Sequence, residues 1–281
     1  MKKLTIFVFL IMILEINAII ISKIPESINQ GDFFIIELVN RSEITNYEIE
    51  TDIARTDIKI FENNDKIYSL IPVNYYVEPG KYIVNIKYKE DNLDKNSEFF
   101  INIIGKESVK DSLKVKEETA KKNSDENKKE MRSAVTLVRK NTIPEKLWDD
   151  KFLMPVEGRI STGFALERYV NGKSNGKHSG IDISAKKGTP IKSVNNGKIV
   201  YSAFLKVTGN TVIIDHGMNL FSSYSHLDTV NIKVGDIMKK GDIIGTVGDT
   251  GFSTAPHLHF TFTIGDTFIN PFLLIDKIII N

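Results

Sequence analysis

The sequence predicts a mainly β protein in which two β domains are joined by a charged segment. Short runs of β-branched and aromatic residues, separated by turn residues, fill the stretch from about Ile24 to Ile104. A highly charged stretch without aromatic residues follows, from Gly105 to Lys140. After Trp148 the strand-like runs return, now punctuated by many glycines. The predicted divisions of the chain are residues 1–21, 22–104, 105–147 and 148–281.

Composition is that of an ordinary globular protein and excludes some classes of partner. Of the 281 residues, 41% are hydrophobic and 26% are charged, which is enough to form one large core or two modest ones. The 37 Lys and Arg residues are balanced by 36 Asp and Glu residues, so no overall positive charge indicates nucleic-acid binding. The chain has no cysteine, which excludes disulfides, thiolate metal ligands and a lipid-anchored lipoprotein.

The N-terminus predicts export from the cytoplasm. Met1-Lys2-Lys3 precede an apolar run from Leu4 to Leu14, which is short for a membrane span and typical of an export signal. Ile16-Asn17-Ala18 is a weak cleavage site, and apolar character resumes at Ile19-Ile20-Ile21. Residues 1–21 are therefore a signal peptide or an uncleaved N-terminal anchor. A buried N-terminal helix fits the lysine pair poorly. The expected location is the periplasm or cell envelope. The chain is either released there or anchored in the membrane through its N-terminus.

Residues 22–104 are expected to form an accessory domain. Its strand-like runs and turns indicate a small antiparallel sandwich, immunoglobulin-like in outline. This region has no histidine and no grouping of residues typical of catalysis, which favours a binding or spacer module. The predicted strands are Phe33–Val39, Ile58–Phe61, Lys66–Val73, Tyr82–Tyr88 and Glu98–Ile104.

Residues 105–147 are expected to link the two domains. Eighteen of the 36 residues from Gly105 to Lys140 are charged, so this segment cannot bury enough apolar surface to fold alone. It is predicted to be a charged helix or a disordered tether. Its expected role is to let one domain stay docked while the other moves to find its target. A coiled coil that binds a partner is the alternative, but apolar heptad positions are sparse.

Residues 148–281 are expected to form a second, mostly β domain. Val234-Gly235-Asp236 and Lys240-Gly241-Asp242 repeat a Gly-Asp turn, which suits tight connections between short strands. Lys198–Tyr201, Thr211–Asp215, Phe221–Tyr224 and Leu258–Phe262 are the predicted strands.

Five histidines occur in the chain, and all five lie in this domain: His178, His216, His226, His257 and His259. His257 and His259 are two apart on a predicted strand, so both side chains point to the same face. His178 and Asp182 flank Gly180 in an irregular segment that could bring an imidazole and a carboxylate together. Such a donor set, without thiolates, suits an open catalytic zinc site. The structural alternative for His257 and His259 is a pair of exposed or core-lining histidines on one strand. For His178 and Asp182 it is a surface histidine and an aspartate in a turn.

The other two histidines are less clearly marked. Strand alternation predicts that Tyr224 and His226 share one face, and a histidine that caps the sheet is the alternative for His226. His216 lies at a boundary between strand and turn, where a structural role is favoured. Spacing alone does not decide which of the histidines join Asp182 at a metal ion.

Three motifs occur in the order typical of one enzyme family. They are His178-x-Gly180-x-Asp182, then Tyr224-x-His226-Leu227, then Gly251-x-Ser253-Thr254-x-Pro256-His257-Leu258-His259-Phe260. In these motifs the chain resembles the lysostaphin-type, or LytM-like, zinc metalloendopeptidases. The resemblance covers about Phe152 to Leu274. Thr261 and Ser223 depart from residues common in the family, and neither position is a ligand.

The resemblance implies a fold, a site and an activity. The fold is an antiparallel β-sheet peptidase domain of the duplicated hybrid motif type, with a groove across the sheet. His178, Asp182 and His259 would hold one Zn2+ per catalytic domain, with His226 and His257 as catalytic histidines. The implied activity is hydrolysis of peptide crosslinks or bridges of peptidoglycan by a metal-activated water. Peptidoglycan is the one partner implied, and protein partners are not indicated.

Two other functions compete with this prediction. The first is a non-catalytic relative that binds cell wall or activates an amidase, which the complete set of ligands and histidines disfavours. The second is a phosphocarrier or acyl-carrier domain with similar Gly-Asp turns. Such a domain needs no His-x-Gly-x-Asp motif, and the predicted export argues against it.

Overall fold

A computed structural model gives the fold and describes residues 19–22, 24–40, 44–54, 57–63, 66–90 and 92–280. Strands make up 49% and helices 10% of the structure, which confirms the predicted mainly β class. The predicted signal or anchor, residues 1–21, lies outside the described residues except for 19–21, which belong to the first strand. Within the described ranges, no helix combines the length and apolar character needed to cross a bilayer.

The described part of the N-terminal half forms two four-stranded sheets. One has the strand order β1-β3-β6-β5 and the other has the order β2-β8-β7-β4. The predicted strand at Ile58–Phe61 is wrong for its first three residues, because the strand begins at Phe61. The immunoglobulin-like topology stays a prediction. The strands are β1 (Ile19–Ser22), β2 (Ser27–Asn29), β3 (Phe33–Asn40), β4 (Ile44–Thr51), β5 (Phe61–Asn63), β6 (Lys66–Pro72), β7 (Gly80–Glu90) and β8 (Leu93–Ile104).

Strands β3 and β6 pack against a core on each of their two faces. On one face Ile36 and Ile71 join the core shared with the second sheet. On the other face Tyr68 and Leu70 join the core of the C-terminal half, together with Phe152. Burial on both faces explains why Phe33–Val39 is a nearly continuous apolar run rather than an alternating one. The two halves of the chain therefore pack against each other through a middle sheet.

The segment between the halves is ordered and lies against the C-terminal half. It contains β9 (Lys110–Leu113), α1 (Glu117–Lys122) and α2 (Asp125–Arg139), so the helical alternative is the one observed. Ser124 caps α2, where its side chain accepts a hydrogen bond from the backbone N–H of Asn127. β9 pairs in parallel with a strand of the C-terminal half rather than lying free.

The C-terminal half is organised around one large antiparallel sheet. The main path of this sheet has the order β10-β13-β20-β17-β16-β15-β18. A smaller sheet, β12-β11-β9, includes β9 from the segment between the two halves, residues 105–147, which is called the interdomain segment below. The strands are β10 (Arg159–Thr162), β11 (Glu167–Val170), β12 (Lys173–Lys177), β13 (Ile181–Ser184), β14 (Pro190–Lys192), β15 (Gly197–Leu205), β16 (Gly209–Asp215), β17 (Leu220–Val230), β18 (Ile237–Met238), β19 (Ile243–Val247), β20 (His257–Ile264) and β21 (Thr267–Ile269).

The adjacent strands β13, β20 and β17 of this sheet separate an apolar face from a polar one. On the apolar face Ile183, Tyr224 and Phe260 are fully or almost fully buried in the core. Because side chains alternate along a strand, Asp182 and His259 project to the opposite face. The sheet thus carries its polar residues on a surface whose position is fixed by the core beneath it.

Candidate metal centre and active site

The segment that contains His178 and Asp182 lies tightly against β20. A Cβ atom at Gly180 would overlap the carbonyl oxygen of Phe260, so the absence of a side chain allows the close approach. In the β13–β20 pair, Asp182 is directly opposite His259. The His-x-Gly-x-Asp spacing therefore brings one side chain from the loop before β13 and one from β13 itself to the same point on β20.

Three side-chain atoms form a nearly regular triangle on the polar face. His178 Nε2 lies 3.0 Å from Asp182 Oδ1 and 3.0 Å from His259 Nδ1. The third side, from His259 Nδ1 to Asp182 Oδ1, is 2.8 Å. Ligands at about 2.0–2.1 Å from a tetrahedral zinc ion are about 3.3 Å apart, so the triangle is close to the size that the ion needs.

Hydrogen bonds to neighbouring groups orient the two imidazoles of the triangle. His178 Nδ1 donates to the carbonyl oxygen of Gly163 at 2.8 Å, so in the neutral ring Nε2 carries the lone pair. His259 Nε2 lies 3.3 Å from Ser179 Oγ, and a proton on Nε2 leaves the lone pair on Nδ1. With the carboxylate oxygen, three electron-pair donors then face one another. A cation is the partner that such a group fits.

Burial and contacts keep two of these groups in the forms that bind metal. Burial alone would raise the pKa of Asp182, but hydrogen bonds that the other ring tautomers of His178 and His259 donate to Oδ1 outweigh burial and hold that pKa well below its ordinary range. Burial lowers the pKa of His259 to about 4, against the opposing effect of Asp182. Near neutral pH the carboxyl group is therefore ionised and the imidazole of His259 is neutral.

Two further histidines lie beside the triangle, with ring centroids 4.7 Å apart. His226 Nδ1 donates to the carbonyl oxygen of Thr250 at 2.7 Å, and His257 Nδ1 donates to that of Ala255 at 2.8 Å. In the neutral form of both rings this leaves the lone pair on Nε2. His257 Nε2 lies 3.8 Å from Asp182 Oδ1, and the ring of His226 lies 6.1 Å from that of His259. Burial is the main cause that lowers the pKa of His226 to about 3.

The predicted shared face for Tyr224 and His226 is wrong, because a β-bulge lies between them. Tyr224 is in the apolar core, and its hydroxyl group accepts a hydrogen bond from the backbone N–H of Val194. Ser225 and His226 lie opposite the single residue Thr211 of β16, and His226 has a φ of 66°. The extra residue and the left-handed backbone turn the imidazole to the polar face.

The remaining histidine, His216, lies outside this cluster and is fully buried. Its Nδ1 lies 2.6 Å from the carbonyl oxygen of Asn196, and its Nε2 lies 2.8 Å from Ser222 Oγ. Burial lowers its pKa to about 4. Its position between Phe152 and Phe262 indicates a structural role.

A groove of about 840 Å³ contains the five polar residues just described: His178, Asp182, His226, His257 and His259. The floor is the polar face of the sheet, and one wall is the loop that includes Ser253 and Pro256. Tyr75 and Tyr76 from the N-terminal half also line it, as do residues of one face of α2. The α2 residues at the groove are Lys128, Met131, Arg132, Val135, Thr136 and Arg139.

Sequence reasoning missed this contribution of α2 and the contact of Arg168 with Asp182. Arg139, at the end of α2, is buried and donates from Nη2 to Ser223 Oγ at 2.9 Å. Arg168 donates from Nη2 to Asp182 Oδ2 at 3.0 Å. A weak amphipathic pattern in α2 was the one local signal for its packing, and it did not indicate what the helix packs against.

Comparisons with known proteins agree with this geometry. Residues 176–271 match the model of Peptidase family M23. An uncharacterised metalloprotease of Buchnera aphidicola is 38% identical over 122 residues, which are 43% of this chain and 32% of that protein. Lysostaphin of Staphylococcus simulans is 42% identical over 100 residues, 35% of this chain and 20% of that protein. Peptidoglycan DD-endopeptidase ShyC of Vibrio cholerae is 36% identical over 115 residues, 40% of this chain and 26% of that protein.

The chain thus spans a third or less of the length of these curated relatives. Over most of its length it also shares a fold with a crystal structure from Pseudomonas aeruginosa assigned to peptidase M23. The TM-score is 0.63 at 19% identity, over 89% of this chain and 95% of that one. Residues 176–271 are a domain of peptidase family M23.

Proposed function

We propose that this chain is a zinc-dependent endopeptidase that hydrolyses peptide crosslinks or bridges of bacterial peptidoglycan. One observation carries the proposal: three electron-pair donors lie within 3.0 Å of one another, beside two imidazoles whose Nδ1 atoms donate to backbone carbonyls and whose lone pairs are therefore on Nε2. The first group suits a metal ion, and the second suits proton transfer. The names of two relatives, lysostaphin and a peptidoglycan DD-endopeptidase, support the substrate class.

His178 Nε2, Asp182 Oδ1 and His259 Nδ1 would hold the zinc ion. Two imidazoles and one carboxylate match the three protein ligands of catalytic zinc sites, which leave further coordination open. When bound, zinc at such a site lowers the pKa of water to about 7 and polarises a carbonyl oxygen. The same donor set also suits ferrous iron, so metal analysis is part of the test.

His226 and His257 would move protons and steady charge during peptide hydrolysis. Because Nδ1 of each ring is already committed to a backbone carbonyl, Nε2 is the atom that accepts a proton from the attacking water. The proton on Nε2 can then pass to the nitrogen of the leaving amine, or form a hydrogen bond with the developing oxyanion. Burial lowers the pKa of His226 and keeps its ring neutral near neutral pH, with the lone pair on Nε2.

The remaining parts of the chain would serve delivery and substrate access. We assign residues 148–281 to the catalytic domain, 22–104 to an accessory domain and 105–147 to the linker. The first 21 residues would export the chain to the periplasm or cell envelope, as a cleaved signal or as an anchor. That location would bring the groove to its polymeric substrate.

Metal analysis and digestion of defined muropeptides with the full chain test the proposal. The purified chain is expected to contain one zinc ion and to release cleaved peptides that mass spectrometry identifies. Removal of the metal with a chelator should abolish cleavage, and zinc should restore it. A chain that binds zinc but leaves all crosslinked muropeptides intact would support the non-catalytic relative instead.

A further inference from the structure

The two carboxylate oxygens of Asp182 have different partners. Oδ1 is a corner of the donor triangle, whereas Oδ2 accepts a hydrogen bond from Arg168 Nη2 at 3.0 Å. The side chains of Arg168 and Asp182 are only 14% and 8% exposed. This ion pair is therefore largely shielded from water, where its geometry is held more firmly than that of a surface pair.

Arg168 makes a second ion pair on the side away from the triangle. Its Nε donates to Asp111 Oδ2 at 2.9 Å, and the side chain of Asp111 is 19% exposed. Asp111 is on β9, whose parallel pairing with β11 puts Arg168 and Asp111 at matching positions. Both residues lie outside the 176–271 stretch that matches the peptidase family. A guanidinium group thus bridges a metal-site carboxylate and a carboxylate of the interdomain segment.

Two opposing effects decide what this bridge does to metal binding. A positive guanidinium group near a divalent cation repels it and weakens binding. Against this, the terminal torsion of an aspartate is broad, so a carboxylate without a partner can rotate its oxygens away from the ion. Arg168 fixes this torsion through Oδ2, and Asp111 neutralises the added charge. The ion pairs of Arg168 therefore keep the carboxylate of Asp182 oriented, while Asp111 reduces the repulsion between the guanidinium group and the metal ion.

We propose that Arg168 is a positioning residue that holds Asp182 with Oδ1 towards the metal, and that Asp111 holds Arg168 in place. This inference rests on the metal site of the proposed function. It makes zinc retention depend on β9, since Asp111 is in position only when the interdomain segment is paired with β11. Residues that hold a metal ligand typically change metal affinity about 10–100-fold when replaced.

Zinc affinity of the full chain, measured by competition with a chromogenic chelator, tests the proposal. Arg168→Gln is expected to weaken zinc binding by about 10–100-fold. Arg168→Lys should restore only part of the affinity, because a single ammonium group cannot bridge two carboxylates as a planar guanidinium does. Asp111→Asn should weaken binding by a smaller factor. Arg159→Gln is the matched control, because Arg159 is exposed on β10, the strand that pairs with β13, and this variant should bind zinc like the wild type.

A double substitution separates positioning from a general loss of structure. If Asp111 acts through Arg168, Asp111→Asn should add nothing to the loss already caused by Arg168→Gln. Zinc affinity of Arg168→Gln within about twofold of wild type would overturn the inference, as would an undiminished effect of Asp111→Asn in the double variant. If Arg168→Gln does not fold, Asp111→Asn decides alone, and unchanged affinity overturns the proposal. A wild-type chain that binds no zinc would overturn the proposed function as well.

Discussion

Asp182 and His259 are directly opposite each other on the neighbouring strands β13 and β20, with Asp182 Oδ1 2.8 Å from His259 Nδ1. The two residues are 77 positions apart in the chain. Strand register alone brings them together, because paired residues of adjacent antiparallel strands have their side chains on the same face. His178 completes the triangle from the loop before β13. Any change that shifts this register or this loop is expected to separate the three donors.

Replacement of His178 tests the donor triangle. His178→Ala should weaken zinc binding by more than about 100-fold, beyond the loss typical of a residue outside the donor set, and should abolish cleavage. The measurement is zinc content after dialysis, with muropeptide digestion in parallel. His216→Gln is a matched control, because His216 is buried in the same domain but outside the cluster. Retention of zinc by His178→Ala would remove this residue from the proposed ligands.

Replacement of His257 should separate metal binding from proton transfer. His257→Ala is expected to retain zinc but to reduce kcat by about 100-fold to 10,000-fold, the contribution typical of a general acid or base. Its Nδ1 is held by the carbonyl oxygen of Ala255, and its Nε2 faces the triangle at 3.8 Å from Asp182 Oδ1. Initial rates on a defined muropeptide, with the zinc content of the same sample, measure both effects. Full activity in this variant would contradict the proposed role.

Replacement of Gly180 tests the close approach between β20 and the segment that contains His178 and Asp182. Gly180→Ala places a Cβ where the carbonyl oxygen of Phe260 lies, and backbone cannot move aside as a flexible side chain can. We expect a loss of about 1–3 kcal/mol in the free energy of unfolding, measured with urea, together with weaker zinc binding. Gly188→Ala is a control for the sheet surroundings, since a Cβ there meets open space, although its positive φ adds strain. Wild-type stability and zinc affinity in Gly180→Ala would show that this contact is not needed.

The buried His216 should make stability depend on pH. Burial lowers its pKa from 6.5 to about 4, so between these values the unfolded chain binds more protons than the folded one. Stability from this group is therefore fully present above pH 6.5 and is lost as the pH falls towards 4. At about 1.4 kcal/mol per pKa unit, the loss is about 2 kcal/mol at pH 5.

Urea unfolding at pH 7 and pH 5 in the presence of a chelator checks this expectation. The difference between the two pH values should be about 2 kcal/mol smaller in His216→Gln than in the wild type. His226 and His259 remain in both proteins, so their contribution, which has the same sign, cancels in the comparison. An equal pH dependence in the two proteins would show that His216 does not titrate as its burial requires.

The sequence by itself determined the mainly β class and the residues of the candidate site. Strand-like runs such as Phe33–Val39 and Tyr82–Tyr88 fall within β3 and β7, because β propensity and turn residues act locally. The motifs around His178 and His259 indicated the metal centre through their resemblance to a family. For the segment between the two halves, the high content of charged residues did not distinguish a helix from a disordered tether. What stabilises α2 is contact with distant residues, which local sequence does not reveal.

Only the tertiary structure decided how these residues meet. It selected Nε2 of His178 and Nδ1 of His259 as the converging atoms, through hydrogen bonds to Gly163 and Ser179. It also turned His226 to the polar face through a bulge that strand alternation could not predict. The bridge from Asp111 to Asp182 and the wall formed by α2 depend on pairing between distant parts of the chain. Local propensity contains no information about such pairing, because the free energy that selects a register comes from burial and contacts across the whole fold.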